Sequence, residues 1–144
     1  MNAKFFALLV GAASIATVDS GAAADPRGTW LTATGDAQIR IANCGAETYS
    51  GTVIWLKQPL DPDTGRPALD KQNPDASKRS RPIIGIPILI SMRANGADRW
   101  VGKIYNAEDG NTYEGNISTQ SVKTLRVEGC LFGFCQSQNW ERAN

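Results

Sequence analysis

The chain has 144 residues, with 15 Lys and Arg against 14 Asp and Glu, no histidine, 14 Gly, 7 Pro, 3 Cys and 4 Trp. The length suits one domain, and a formal charge of +1 gives no whole-molecule field to draw in nucleic acid or an anionic membrane surface. Without histidine there is no Ser-His-Asp or Cys-His catalysis, no common zinc ligand set and no usual pH switch.

The N-terminus carries Lys4, then an Ala/Leu/Val-rich run over residues 5–18, then Ala22-Ala23-Ala24. Positive start, apolar middle and small residues at the end predict a secretory signal peptide over residues 1–24, cleaved after Ala24. The run is shorter than the roughly 20 apolar residues that span a bilayer. Residues 25–144 then form one domain with no membrane span, and the compartment expected is a bacterial periplasm or the exterior. Cleavage removes Lys4 and Asp19, one charge of each sign, so the net charge stays +1.

Glycine and Asn/Asp pairs punctuate the rest at intervals of about ten residues, the spacing of an all-β meander. The predicted strands are 29–34, 37–44, 49–57, 83–93, 99–106, 111–119, 122–130 and 134–142. Pro87 argues for a bulge or interruption in the fourth. Asn95-Gly96 and Asp109-Gly110 are two-residue hairpin signals. Eight short antiparallel strands predict an up-and-down barrel, because closure removes both edges. A barrel of that size is filled by side chains or holds one small ligand.

Residues 58–82 break the meander and hold five of the seven prolines. Such long connections are usually lids, binding loops or disordered. Asn73-Pro74 reads as an N-cap and first-turn proline, with Asp75 suited to the positive end of a short helix over residues 74–80. Asp61, Asp63, Asp70 and Asp75 are the most enzyme-like cluster, but carboxylates on a Pro-rich polar loop are ordinarily solvated or capping. Asp61-Pro62-Asp63-Thr64-Gly65 fails as a calcium loop, since Gln72 stands where the bidentate Glu belongs and the glycine comes one position early. Lys78-Arg79-Ser80-Arg81 reads as a solvated helix end. No catalytic set, metal site or cofactor is expected, and the protein is not expected to be an enzyme.

Three cysteines in an exported chain leave at least one outside an internal disulfide. Cys130 and Cys135 flank a short Gly-containing turn, so the expected bridge is Cys130–Cys135, with Cys44 joined to one of them as the rival. Phe134, Gln136, Gln138 and Trp140 share one face of the last strand. Glutamines beside large aromatics suit a polar-lined pocket better than a dry core. The candidate ligand-lining residues are Trp55, Tyr105, Tyr113, Gln138 and Trp140.

A group of motifs in order carries a resemblance: Gly28-Thr29-Trp30, Ile54-Trp55-Leu56, Asp70-Lys71-Gln72-Asn73-Pro74-Asp75, Arg81-Pro82, Trp100-Val101-Gly102-Lys103-Ile104-Tyr105, Asp109-Gly110 with Tyr113, Leu125-Arg126-Val127-Glu128-Gly129-Cys130 and Trp140-Glu141-Arg142. Together they resemble the bacterial exported family catalogued as domain of unknown function 2147, and the resemblance covers nearly all of residues 25–144. It implies a lipocalin-like fold. It also implies that Cys44 has lost a partner, because relatives carry Cys where Ser50 stands. The Gly28-x-Trp30 start and Arg142 are similar to the lipocalin and avidin superfamily, where a tryptophan packs beneath an arginine of the last strand. A guanidinium over an indole is stabilising in its own right, so Trp30 and Arg142 are assigned to barrel closure. The functional expectation is a periplasmic binding module for a small, partly apolar molecule, with residues 58–82 as a lid. The alternative is a structural or interaction protein with a filled barrel and an envelope protein as partner.

Overall fold

A computed structural model describes residues 24–143. The predicted signal peptide therefore lies, but for its last residue, outside the described residues. Eight strands run in chain order: β1 (Gly28–Leu31), β2 (Ala37–Asn43), β3 (Thr48–Leu56), β4 (Pro87–Ala94), β5 (Arg99–Asn106), β6 (Asn111–Thr119), β7 (Thr124–Leu131) and β8 (Phe134–Arg142). Each pairs antiparallel with the next, and β8 returns to β1, closing the barrel. Among the described residues no helix is long and apolar enough to cross a membrane.

Three local expectations are corrected. The two Asx-Gly signals do not make two-residue hairpins: β4 and β5 are joined by residues 95–98, and β5 and β6 by residues 107–110. In the first, the amide of Asn95 bonds Arg99 O and Asp98 O takes the amide of Thr119, so Ala97 and Asp98 are held in the turn. The two-residue loop is Phe132-Gly133 instead, with φ +52° and +81°, both left-handed as a type I′ turn requires. The predicted helix shrinks to one 3-10 turn, Ala76–Lys78. Its N-cap is Asp75, whose carboxylate accepts from the amide of Ser77; Asn73 is engaged elsewhere. The fourth strand begins only at Pro87, the position in a strand that tolerates a missing N–H.

The core fills the barrel from one end. Trp30, Ile39, Ile41, Val53, Leu89, Met92, Trp100, Ile117, Leu125, Val127 and Trp140 are all buried. Glycines make room for them. A Cβ on Gly51 would lie 2.8 Å from Leu89, and one on Gly102 would lie 2.5 Å from Ile90 O and 2.7 Å from Met92 Sδ. The strand directions define two ends. The turns 44–47, 95–98 and 120–123 lie with residues 24–27 at the closed end. The turns 32–36, 107–110 and 132–133 lie with the long connection 57–86 at the open end.

Arg142 seals the closed end. Its guanidinium carbon sits 4.3 Å from the Trp30 ring centroid, and its three nitrogens donate to Val122 O (2.7 Å), Arg27 O (2.7 Å) and Asp25 O (2.8 Å). The buried Trp30 indole N–H donates to Pro26 O at 2.8 Å. One side chain thus ties the N-terminal segment, the β6–β7 turn and the last strand together.

Candidate functional site

The connection 57–86, which leaves and rejoins the barrel at the open end, is a strap tied to β5 by one carboxylate. Asp70 is fully buried. Its Oδ1 accepts from the Tyr105 hydroxyl at 2.5 Å, and its Oδ2 accepts from Asn73 Nδ2 and Arg81 Nε, both at 2.9 Å. Backbone bonds close the same unit: the amide of Asp70 donates to Arg81 O and the amide of Asn73 to Asp70 O. Burial alone would raise the Asp70 pKa; the bonds from Tyr105, Asn73 and Arg81 outweigh it and hold the carboxyl below its ordinary value. Burial, with the carboxylate beside it, pushes the Tyr105 phenol up to about 12. Asn73 Oδ1 also accepts from the amide of Asp75. Arg79, expected to be solvated, donates to the carbonyls of Asn73 and Pro74.

The strap carboxylates therefore do not converge. Asp61 pairs with Lys71 at 2.8 Å, Asp70 is spent on its three donors and Asp75 caps the 3-10 turn. The strap also rests on the β5–β6 turn so closely that a Cβ on Gly110 would lie 1.9 Å from Gln72 O.

The five candidate lining residues divide by face. Directly paired strand residues share a face. Ile39 pairs with Val53 on the inside, but the register shifts by one, so Trp55 pairs with Gln38. Ile54 is the extra residue, and Trp55 turns outward with 40% exposure. On β5, Ile104 pairs with core Leu89, so Tyr105 faces outward and is buried by the strap. The other three point in. Tyr113 pairs with Ile104 and its ring covers Gly129, where a Cβ would touch it at 3.4 Å; its hydroxyl donates to Asp109 in the β5–β6 turn. Trp140 pairs with Leu125 and is buried. Gln138 pairs with Val127 yet is exposed, and its Oε1 accepts from Trp140 Nε1 at 3.0 Å. Gln136 and Phe134 continue that inner face to the rim and are also exposed.

Tyr113, Gly129, Gln136 and Gln138 form a patch of inner face toward the open end, next to buried Trp140 on β8, and this patch is the candidate cup. Leu60, Leu69 and Ile84 of the strap and Phe132 and Phe134 of the β7–β8 hairpin, the two connections that meet the barrel at this end, are exposed apolar residues. The alternation along β8 marked Gln136 and Gln138; the exposed strap residues gave no periodic signal.

The Cys130–Cys135 bridge is present across that hairpin. Cys44 is exposed and unbridged, 3.2 Å from Thr48 Oγ1. Glu128 lies beside the hairpin sulfurs, but both are held in the disulfide and do not offer thiolates to a metal. Two depressions, of about 450 and 540 Å³, lie on the outer wall: one over β4, β5 and β6, the other beside the β2–β3 turn, with Arg93 on the edge of both.

Closed eight-stranded topology and an Arg-over-Trp seal define a lipocalin-like barrel. The solved structure of HP1028 from Helicobacter pylori, described as a member of the lipocalin family, is similar with a TM-score of 0.68 and 21% identity, over 83% of this chain and 84% of that one. At that identity the likeness concerns the fold. The chain belongs to the family described as "Uncharacterized protein conserved in bacteria (DUF2147)", whose profile matches residues 28–142. No curated protein sequence matches it.

Proposed function

We propose that the protein is an exported binding module that takes a small, partly apolar molecule in the cup at the open end. The observation that carries this reading is the exposure of Gln136 and Gln138 on the inner face of β8, directly above buried Trp140. Inner-face amides that stay in contact with solvent are hydrogen-bonding groups available to a ligand, and Tyr113 and Phe134 supply apolar surface beside them. The strap is anchored to β5 by the three donors on its buried carboxylate. Export to the periplasm or the exterior is what the predicted signal peptide supports.

The test is titration of the oxidised mature chain with fatty acids and other small amphiphiles, read by tryptophan fluorescence. Binding at the cup changes the emission of Trp140, and Gln136→Leu alters the affinity while leaving the unfolding midpoint near that of the parent. No spectral change with any member of the set, together with no retained molecule in native mass spectra of protein purified from periplasm, overturns the proposal. A second reading has its own observation. Trp30, Trp100 and Trp140 are buried in the barrel and two sizeable depressions lie on its outside, which suits an interaction protein of the envelope. Retention of an envelope protein without any small molecule in those spectra favours it.

A further inference from the structure

The barrel closes over a short seam. β1 pairs with β8 only at Trp30 with Arg142 and Leu31 with Glu141. From Phe134 to Asn139 no other strand among the described residues lies along the outer edge of β8.

The direction of the unpaired groups follows from the turn. In a two-residue hairpin the residues flanking the loop form a hydrogen-bonded pair, and the pairs alternate from there. Leu131 with Phe134, Gly129 with Gln136 and Val127 with Gln138 are then the bonded pairs. The N–H and C=O groups of Cys135, Ser137 and Asn139 point away from β7 into solvent. The seam agrees with this alternation: the amide of Arg142 bonds inward to Lys123 O, and that of Ala143 bonds outward to Thr29 O.

Exposed edges are normally blunted by lysine, proline, inward charges or bulges. Residues 134–139 read Phe-Cys-Gln-Ser-Gln-Asn and contain none of these. β7–β8 pairs without a register shift, and the Cys130–Cys135 bridge holds the hairpin extended. Phe132 and Phe134, 91% and 81% exposed, stand at its tip.

We propose that this edge pairs antiparallel with the same edge of a second copy, about a two-fold axis at Ser137. That register uses all three outward-facing residues: Ser137 meets its own counterpart, and Cys135 meets Asn139 of the other copy. Gln136 then lies opposite Gln138, so no charged residues are directly paired across the junction, and Arg126, which donates to Ser137 Oγ beside the axis, is paired with Glu128 of its own copy. A second copy is the occupant because the segment is uncharged and self-complementary in polarity, and because a net charge of +1 sets up little repulsion between two molecules. Each tip Phe gains cover from the neighbouring barrel.

Sedimentation velocity of the oxidised mature chain over a concentration series tests this. A monomer–dimer equilibrium is expected, with the amides of Cys135, Ser137 and Asn139 gaining protection from hydrogen exchange as dimer forms. Ser137→Pro removes an N–H that the barrel ladder does not use and is expected to give monomer with an unchanged far-ultraviolet spectrum. Ser137→Lys, which keeps the backbone and sets two cations at the axis, is expected to weaken the dimer at least tenfold and less so at high salt. A parent chain that stays monomeric up to its solubility limit overturns the proposal. So does a dimer that both variants retain, or one in which those three amides stay unprotected.

Discussion

Asp70 is a carboxylate removed from water with three donors, and its energetics are visible in how each donor is held. The Tyr105 hydroxyl is buried with it, while the Arg81 side chain keeps 32% of its surface exposed. Removing the acid therefore strands a half-solvated cation rather than a buried one, and Asp70→Asn is expected to cost about 2–3 kcal/mol, below the range for a fully buried pair. Tyr105→Phe leaves two donors and is expected to cost about 1–2 kcal/mol. The pH dependence has a definite sign. The Asp70 pKa is lowered from 3.8 on folding, so its contribution is complete above that value and is lost as pH falls through the folded pKa. The Tyr105 pKa is raised from 10.0 to about 12, so that contribution is complete below pH 10 and is lost as pH rises through about 12. Urea midpoints across pH check both. The stability difference between the parent and Asp70→Asn should shrink in acid, and that between the parent and Tyr105→Phe should shrink in strong alkali. A flat difference in either series contradicts the assignment.

At the scale of the element, the strap depends on a backbone contact that a side chain would break. Gly110 has φ +73° and its α-carbon faces Gln72 O. Gly110→Ala adds about 1–2 kcal/mol of left-handed backbone strain and also forces the β5–β6 turn away from residues 70–73. The expected outcome is local: trypsin cuts faster after Lys71, Lys78 and Arg79, while the unfolding of the barrel itself changes less. Unchanged cleavage would show that Gly110 does not hold the strap down. This element also shows where the sequence was legible. Three strands, 99–106, 111–119 and 134–142, match their predicted limits because period-two alternation and flanking turns coincide there. Tyr105 was expected to line a ligand site, but it faces outward and is buried by a strap that comes from 35 residues away. Trp55 was misplaced for another reason. A bulge of one residue at Ile54 reverses every side chain beyond it, and nothing in Val53-Ile54-Trp55-Leu56 marks the extra residue. Asn73 was read as a cap because Asn-Pro is a good local signal; its Oδ1 does accept from the Asp75 amide as a cap would, but the 3-10 turn is capped by Asp75 and the Asn73 Nδ2 bond to Asp70 needs the folded strap.

The whole molecule is closed by very little sheet. Two register pairs join β1 to β8, so the barrel's integrity rests on what reinforces that seam from outside the ladder. Arg142 is placed to do so: it belongs to β8, stacks on the ring of β1's Trp30, and donates to carbonyls of the N-terminal segment and of the β6–β7 turn. Its planar fork satisfies three acceptors at once, which one lysine ammonium on a flexible stem does not reproduce. Arg142→Lys keeps the charge and is expected to lower global stability by about 2–3 kcal/mol. Because the seam joins the first strand to the last, the loss should be cooperative. One unfolding transition moves to lower urea, and the Trp30 environment, read by fluorescence, changes in step with far-ultraviolet dichroism. Asp70→Asn and Gly110→Ala act at the opposite end and should add to Arg142→Lys with little coupling, since they share no partners. An unchanged midpoint in Arg142→Lys would mean the two ladder pairs and the core suffice for closure. Strong coupling with Asp70→Asn would mean that the strap helps hold the seam shut across the length of the barrel.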